Sequence, residues 1–317
     1  MMKVIAVTPA GRRRYLHLLA KYILSDDTVA EWHLWDNCRD PADRTYLQSL
    51  VGPKVKIVSL PNSTGDNRSI NKFYRTMTDP DAFYVKLDDD ICYLPQGFFG
   101  RFAAKAAASQ SNAIWFSPMV INNAICSWLL SFHGRISSSI PLSCQAACTI
   151  GWKNPEFAIH LHRAFLTRLE ANRIKDFHVP DATMTMGRFS INCLGVFGRD
   201  RNALGDAFCP LDVDDEEHIS AFLPMLTKRP GQIIGDEVVA HFSYYTQERE
   251  MLDTDILERY YQLEAMQGRP EHPLASADPA PLSKHGSRII PGVIAPPTPV
   301  SVSFAPFRRL THNPCQP

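Results

Sequence analysis

A chain of 317 residues is long enough to form one large domain with a sizeable buried core. Its content of 45% hydrophobic and 21% charged residues is typical of a globular protein and excludes a fibrous or wholly disordered chain. The formal net charge is zero, so no overall field attracts nucleic acid or an anionic membrane, and no nucleic-acid partner is expected.

The start of the chain, its cysteines and its longest apolar stretch predict a cytoplasmic protein. The strand-like segment Lys3–Thr8 begins at once, without a secretory signal pattern. The eight cysteines include no CxxC pair and lie mostly among apolar residues, which is typical of reduced structural thiols. Residues 113–132 are apolar enough to cross a bilayer, but Pro118, Asn122 and Asn123 favour a buried strand followed by a loop.

Strand-like and helical segments alternate through the first 122 residues. The predicted strands cover residues 3–8, 31–37, 55–60, 83–87 and 114–122. A strand, a small-residue turn and a helix open a nucleotide-binding unit, so Thr8 and Pro9 are candidate ligand contacts. The three arginines that follow, Arg12, Arg13 and Arg14, are compatible with phosphate contacts or with a solvated helix start. The alternation predicts an α/β fold with a mainly parallel, doubly wound sheet flanked by helices.

Three consecutive carboxylates follow the apolar strand Phe83–Leu87. Asp88, Asp89 and Asp90 repel one another in a folded domain, and a divalent cation such as Mg²⁺ or Mn²⁺ relieves that cost. Alternate residues of an extended chain share a face, so Asp88 and Asp90 can point together while Asp89 points away. The alternative is a solvated acidic turn. The buried-looking strand before the acids and Pro95 after them favour a ligand site.

An apolar strand, Asp-x-Asp and a proline a few residues later resemble the metal-binding motif of GT-A glycosyltransferases, particularly the family 2-like ones. The resemblance implies that Asp88 and Asp90 hold a divalent ion that bridges the diphosphate of a nucleotide-sugar, with Asp89 near the donor ribose or sugar. It implies a UDP-, GDP- or dTDP-sugar donor and a glycan or glycolipid acceptor. Peripheral contact with a membrane is left open.

Further donor contacts are implied by the order of the elements. Asp36 ends the second strand, where GT-A enzymes commonly place an acidic contact to the donor base or ribose. The alternative for Asp36 is a cap of the following turn or helix. A helix-like segment before the Asp-x-Asp strand resembles the one that lies along the donor in family 2 enzymes. The resemblance makes Asn67, Arg68, Asn71 and Lys72 candidates for diphosphate or sugar contacts.

A second acidic cluster, residues 212–217, precedes an apolar helical pattern. Acids at a helix N-terminus interact favourably with the helix dipole, which is one explanation for the cluster. Inverting GT-A enzymes carry a pair of acids at the start of a helix after the Asp-x-Asp. The resemblance therefore implies that Asp214 or Asp215 is the general base that deprotonates the acceptor hydroxyl.

A histidine and several aromatic residues follow further along the chain. His241 lies in the strand-like segment 238–242, and the resemblance implies that it completes the metal shell; the alternative is a hydrogen-bonded core histidine. Four residues are candidates to line the donor or acceptor side: Tyr244, Tyr245, Gln247 and Arg249. Exposed aromatic rings suit stacking on a sugar, but the tryptophans of the middle of the chain, Trp152 among them, are expected in the core.

Residues 1–268 are therefore predicted to form a single GT-A-like catalytic domain, with residues 1–122 as the donor half and residues 123–268 as the acceptor half. Residues 269–317 form a proline-rich tail, extended or flexible. The predicted function is metal-dependent, inverting glycosyl transfer.

A nucleotidyltransferase is closer in fold than a phosphohydrolase, but its glycine-rich turn with an arginine is absent from residues 9–14. Two further alternatives remain. A phosphohydrolase of the haloacid dehalogenase type also uses Asp-x-Asp, but its motif requires a threonine-like residue where this chain has Cys92. The other alternative is a non-catalytic carbohydrate-binding protein with the same fold.

Overall fold

A computed structural model describes residues 2–61, 65, 67–138 and 141–267, without the side chains of residues 67 and 68. The predicted tail, residues 269–317, and the side chain of Asn67 lie outside the described residues. The strands are β1 (Lys3–Ala10), β2 (Val29–Asp36), β3 (Val55–Val58), β4 (Ala82–Leu87), β5 (Ile91–Tyr93), β6 (Trp115–Ile121), β7 (Ala182–Met184), β8 (Cys193–Phe197) and β9 (Gly231–His241). The helices are α1 (Arg13–Leu24), α2 (Pro41–Ser49), α3 (Asn67–Phe73), α4 (Phe98–Ala108), α5 (Ala124–Phe132), α6 (Pro155–Glu170), α7 (Gly198–Leu204), α8 (Asp215–Glu217), α9 (Leu223–Thr227), α10 (Glu248–Leu252) and α11 (Ile256–Met266).

The strands of this part of the chain form one nine-stranded sheet in the order β3-β2-β1-β4-β8-β6-β9-β5, with β7 paired to β9. Strands β3, β2, β1 and β4 are parallel neighbours, and β6 and β9 are also parallel. Strand β8 is antiparallel to both β4 and β6, so these two groups run in the same direction. The predicted α/β fold with a mainly parallel sheet flanked by helices is confirmed.

The apolar stretch of residues 113–132 forms β6 and then α5. The predicted strand is present, but the predicted loop is a helix. Asn123 caps this helix, because its side-chain oxygen accepts hydrogen bonds from the backbone nitrogens of Ile125 (3.1 Å) and Cys126 (3.2 Å). Among the helices of the described residues, none is both long and apolar enough to cross a membrane.

Backbone pairing at the carboxyl end of β4 brings two distant segments together. Every residue of β4 is buried, and the acidic triplet follows directly. Ile91 of β5 pairs with His241 of β9, and the carbonyl oxygen of Asp90 accepts a hydrogen bond of 2.9 Å from the backbone nitrogen of Phe242. The end of β9 therefore lies beside the acidic triplet, at the sheet edge where α/β proteins bind ligands.

Candidate functional site

Asp88, Asp90 and His241 form a candidate metal centre. Each offers one ligand atom, and the three atoms lie within 4.8 Å of one another. Two carboxylates and one imidazole suit a divalent cation that accepts oxygen and nitrogen ligands. The sequence predicted the same three residues as metal ligands, and the structure brings them together.

Asp90 is the most enclosed of the three, with 2% of its surface exposed. Its Oδ2 lies 2.9 Å from Nη2 of Arg12 and 3.4 Å from Nε2 of His241. Burial opposes ionisation of this carboxyl, but the charges of Arg12 and His241 outweigh burial and hold the pKa of Asp90 below its usual range. Its Oδ1 is buried without a hydrogen-bond partner among the described residues. Asp90 is therefore a carboxylate with one oxygen left for a cation.

His241 is oriented by the backbone of Asn122. Its Nδ1 lies 3.3 Å from the carbonyl oxygen of Asn122, which can only accept, so Nδ1 carries a proton and donates. The other nitrogen, Nε2, faces Asp90. Metal-binding histidines typically make this kind of outer hydrogen bond. Burial lowers the pKa of His241, but the Asp90 carboxylate has the larger combined effect and raises this pKa above its ordinary value.

Asp88 is held by two side chains that sequence reasoning did not single out. Its Oδ1 accepts a hydrogen bond from Nζ of Lys86, and its Oδ2 accepts one of 3.1 Å from Nδ2 of Asn192. Lys86 is buried and also donates to the carbonyl oxygen of Ile191 at 2.9 Å. Burial lowers the pKa of Lys86, but the charges of Asp88 and Asp215 raise it overall, so the amine is protonated. A lysine inside an otherwise apolar, buried strand was the available signal.

Asp89 contacts the turn between β1 and α1. Its Oδ2 accepts hydrogen bonds from the backbone nitrogens of Gly11 (3.0 Å) and Arg12 (2.8 Å), and its Oδ1 accepts two from the Arg12 guanidinium. Arg12 also lies 3.1 Å from Oε1 of Glu248 in α10. Arg12 is thus ion-paired rather than simply solvated. A donor contact of Asp89 stays a prediction.

The two candidate bases have different surroundings. Asp214 is the N-cap of α8: its Oδ1 accepts a hydrogen bond of 2.9 Å from the backbone nitrogen of Glu217, and its Oδ2 pairs with Arg188. Asp215 instead accepts a hydrogen bond of 3.1 Å from the hydroxyl of Tyr74. Burial raises the pKa of Asp215 above its usual range, against Lys86 and Tyr74, which lower it.

One cavity of about 580 Å³ contains the metal centre and Asp215. Its lining includes more acids than bases: Asp40, Asp43, Asp88, Asp89, Asp90, Asp215, Glu216 and Glu248 against Arg12, Arg39, Lys86 and Arg188. The excess of carboxylates favours a cation in this cavity. Asp214 is not among the lining residues. Trp152 is among them. It is half-buried and packs against the small core cluster of Ala124, Leu142 and Cys148, so it lines the cavity from the edge of the core.

The predicted donor contacts divide into two groups. Pro9 lines the cavity, and so does Asn37, the neighbour of Asp36. Thr8 is fully buried and accepts a hydrogen bond of 3.0 Å from the indole of Trp32. Asp36 is paired with Arg44, whose Nε lies 3.1 Å from its Oδ2. Neither Thr8 nor Asp36 is among the lining residues, so any contact of theirs with a donor stays a prediction.

Asn71 and Lys72 of α3 are also outside the cavity lining. The side-chain nitrogen of Asn71 donates hydrogen bonds of 2.8 Å to the carbonyl oxygens of Pro210 and Val213. These two carbonyls belong to the loop that precedes Asp215. Asn71 therefore stabilises the loop of the candidate base, together with Tyr74 just after α3.

Comparison with known proteins adds little. No family model and no curated protein matches the chain. Two solved structures described as 4-diphosphocytidyl-2C-methyl-D-erythritol synthase are similar to it. One aligns over 36% of this chain and 58% of its own, with 16% identity and a TM-score of 0.29, so this chain covers less than two thirds of that protein. The other, from Anaerococcus prevotii, aligns over 82% of this chain and 99% of its own, with 8% identity and a TM-score of 0.45. At these values neither similarity indicates an activity.

Proposed function

We propose that the protein is a metal-dependent glycosyltransferase that uses a nucleoside-diphosphate-sugar. The observation that supports this most directly is that one cavity contains both the cluster of Asp88, Asp90 and His241 and the separate acid Asp215. Glycosyl transfer from a diphosphate donor needs both parts, because negative charge grows on the leaving group while a proton leaves the acceptor.

Mn²⁺ or Mg²⁺ fits the residues of this centre. Oδ1 of Asp90 is buried without a hydrogen-bond partner among the described residues, and Nε2 of His241 lies 3.4 Å from Oδ2 of the same carboxylate. Asp90, His241 and Asp88 would hold the ion. When bound, a divalent ion would neutralise charge on the donor diphosphate. Lys86 and Arg12 supply further positive charge beside the carboxylates.

Asp215 is the proposed general base. It would take the proton of the acceptor hydroxyl as that oxygen bonds to the anomeric carbon, and the bond from this carbon to the diphosphate oxygen breaks. A pKa raised by burial brings a carboxylate closer to the operating pH, which improves a general base. Attack from the side opposite the diphosphate would invert the anomeric centre. Glu216 is less suited, because its Oε1 is 2.6 Å from Nε of Arg188.

Pro9, near the end of β1, and Asn37 and Arg39, just after β2, line the cavity. We call these three residues the polar flank and propose that they contact the nucleoside of the donor. The proposed donor half, residues 1–122, supplies this flank and the Asp-x-Asp acids. The proposed acceptor half, residues 123–268, supplies Asp215 and His241.

The proposal is tested by thermal unfolding with UDP, GDP, dTDP or CMP, each with and without Mn²⁺. A ligand that binds only the folded state stabilises it by about 2.7 kcal/mol at about one hundred times its Kd. We expect one nucleotide to stabilise the wild type in a metal-dependent way and to fail with Asp90→Asn. Asp43→Asn, which removes an equal charge from the same cavity, is the control and should respond like the wild type. No response to any nucleotide, together with no response to Mn²⁺ alone, would overturn the proposal.

A further inference from the structure

We propose that the same cavity holds a subsite for a neutral saccharide, formed by Trp152, Tyr244 and Tyr245, which we call the aromatic flank. This inference rests on the proposed function, because it names the chemical class of the acceptor.

The aromatic flank is continuous with the metal centre. The ring centroids of His241 and Tyr244 lie 5.0 Å apart, those of Tyr244 and Trp152 6.3 Å, and those of Trp152 and Tyr245 5.5 Å. Exposure increases along this series, from the buried Tyr244 through the half-buried Trp152 to Tyr245, which is 78% exposed. Aromatic surface therefore extends from a candidate metal ligand to solvent.

The backbone holds the flank in place before any ligand binds. The hydroxyl of Thr246 donates a hydrogen bond of 2.6 Å to the carbonyl oxygen of Trp152, so the segment after β9 is tied to the segment of the tryptophan. Trp152 lies in the π-helical turn Thr149–Lys153, a rare conformation that is frequent at functional sites. A backbone segment that is held in advance loses less entropy when a ligand binds to it.

The topology separates the aromatic flank from the polar flank. Between β1 and β9 the sheet contains β4, β8 and β6 in that order, and the Asp-x-Asp acids follow β4. The polar flank lies at the carboxyl ends of β1 and β2, whereas Tyr244 and Tyr245 follow β9. Two ligands that meet at the metal centre could thus occupy different sides of one cavity.

The composition of the cavity indicates the class of the second ligand. A pyranose has an apolar C–H face that packs on an aromatic ring, and hydroxyls around its edge that donate to carboxylates such as Asp215 and Glu216. Charges of both signs lie at the flank, because Glu216 interacts electrostatically with Tyr244 and Nζ of Lys153 lies 5.5 Å from the ring centroid of Trp152. The flank therefore has no excess of positive charge to attract a uronic-acid ligand. A neutral saccharide meets both conditions.

The test is saturation-transfer NMR of the full chain with lactose, cellobiose, maltose and N,N′-diacetylchitobiose, with a uronate disaccharide and UDP as comparisons. Trp152→Ala and Tyr245→Ala remove the rings, and Trp152→Phe and Tyr245→Phe keep an aromatic ring. Phe132→Ala is the control, because Phe132 is 69% exposed and stacks on Trp128 outside the cavity lining. Each variant is first checked for an unchanged unfolding transition.

We expect at least one neutral disaccharide to bind and the alanine variants to weaken it about three- to tenfold, as for loss of one aromatic contact. The saccharide affinity of the phenylalanine variants and of Phe132→Ala should stay close to that of the wild type. The inference would be overturned if no saccharide gave a saturation-transfer signal or if the alanine variants bound saccharide as tightly as the wild type. It would also be overturned if the uronate bound more tightly than the neutral disaccharides. Weaker UDP binding in place of weaker saccharide binding would also overturn it, because the rings would then serve the donor base. If a saccharide bound but no nucleotide did, the subsite would be supported and the transferase proposal would be overturned.

Discussion

The backbone carbonyl oxygen of Asn122 accepts a hydrogen bond from Nδ1 of His241, and this contact decides which imidazole nitrogen faces Asp90. Asn122 has a left-handed backbone with φ of 62° and is fully buried. Its side-chain nitrogen donates hydrogen bonds of 3.0 Å to the carbonyl oxygen of Phe242 and to Oε1 of Gln247. Backbone strain of this kind concentrates at functional sites.

Replacing Asn122 should separate the effect of its backbone from that of its side chain. Asn122→Gly and Asn122→Ala both lose the side-chain hydrogen bonds, but only alanine resists a positive φ, at a cost of about 1 kcal/mol. We expect the free energy of unfolding in urea to be lower for alanine by that amount. Mn²⁺ affinity, measured by calorimetry, should also be lower for alanine. Equal unfolding free energies and equal Mn²⁺ affinities for the two variants would show that the left-handed backbone of residue 122 affects neither stability nor metal binding.

Metal binding should weaken as the pH falls. The raised pKa of His241 keeps a proton on Nε2 to a higher pH than in an ordinary histidine, and a metal must displace that proton. Without metal, the protonated His241 stabilises the fold through Asp90, and this contribution is lost as the pH rises through the raised pKa. The increase in melting temperature caused by Mn²⁺ should therefore grow between about pH 6 and about pH 8. A flat or opposite trend would contradict this prediction.

Lys86 should stabilise the fold without metal and weaken metal binding. Lys86→Met leaves Asp88 without its counter-ion. We expect the free energy of unfolding to fall by about 1–3 kcal/mol, less than for a fully buried ion pair, because Asp88 is partly exposed. The Mn²⁺-dependent rise in melting temperature should increase, because the cation then replaces the missing charge. Lys105→Met is the control: Lys105 pairs with Asp236 and Glu237, away from the cavity, and its loss should leave the metal response unchanged. A smaller metal response in Lys86→Met would argue against a counter-ion role.

Asp214 and Asp215 should differ in stability and in activity. Asp214→Ala removes an N-cap and should cost about 1 kcal/mol of stability while the transfer rate is kept. Asp215→Asn should lose activity with an equal or higher melting temperature at pH 7. The pKa of Asp215 is higher in the folded than in the unfolded protein, so the fold loses stability as the pH rises above the pKa of the unfolded state. An amide at this position does not ionise and has no such cost.

The two variants are compared by donor turnover, using the nucleotide found by thermal unfolding, and by their melting curves. Loss of turnover in Asp214→Ala, with turnover kept in Asp215→Asn, would exchange the proposed roles of the two acids.

The sequence by itself predicted the alternation of strands and helices in the first 122 residues and the three residues of the candidate metal centre. Local patterns were sufficient for this. Apolar segments predicted the parallel strands, an acidic triplet after a buried strand predicted Asp88 and Asp90, and a histidine at the end of a later strand predicted His241. The short strand β8 was missed, because all five of its residues are buried and it shows no alternation of polar and apolar residues.

Only the tertiary structure decided what surrounds those residues. Asp214 and Asp215 are adjacent in sequence, yet one caps a helix and the other lies in the cavity. Arg12 and Lys86 proved to be counter-ions of the acidic triplet, and Asn71 was found to support the loop before Asp215. The physical reason is that hydrogen-bond partners and burial depend on contacts between residues far apart in the chain. A side chain's type and its neighbours in sequence do not specify those contacts.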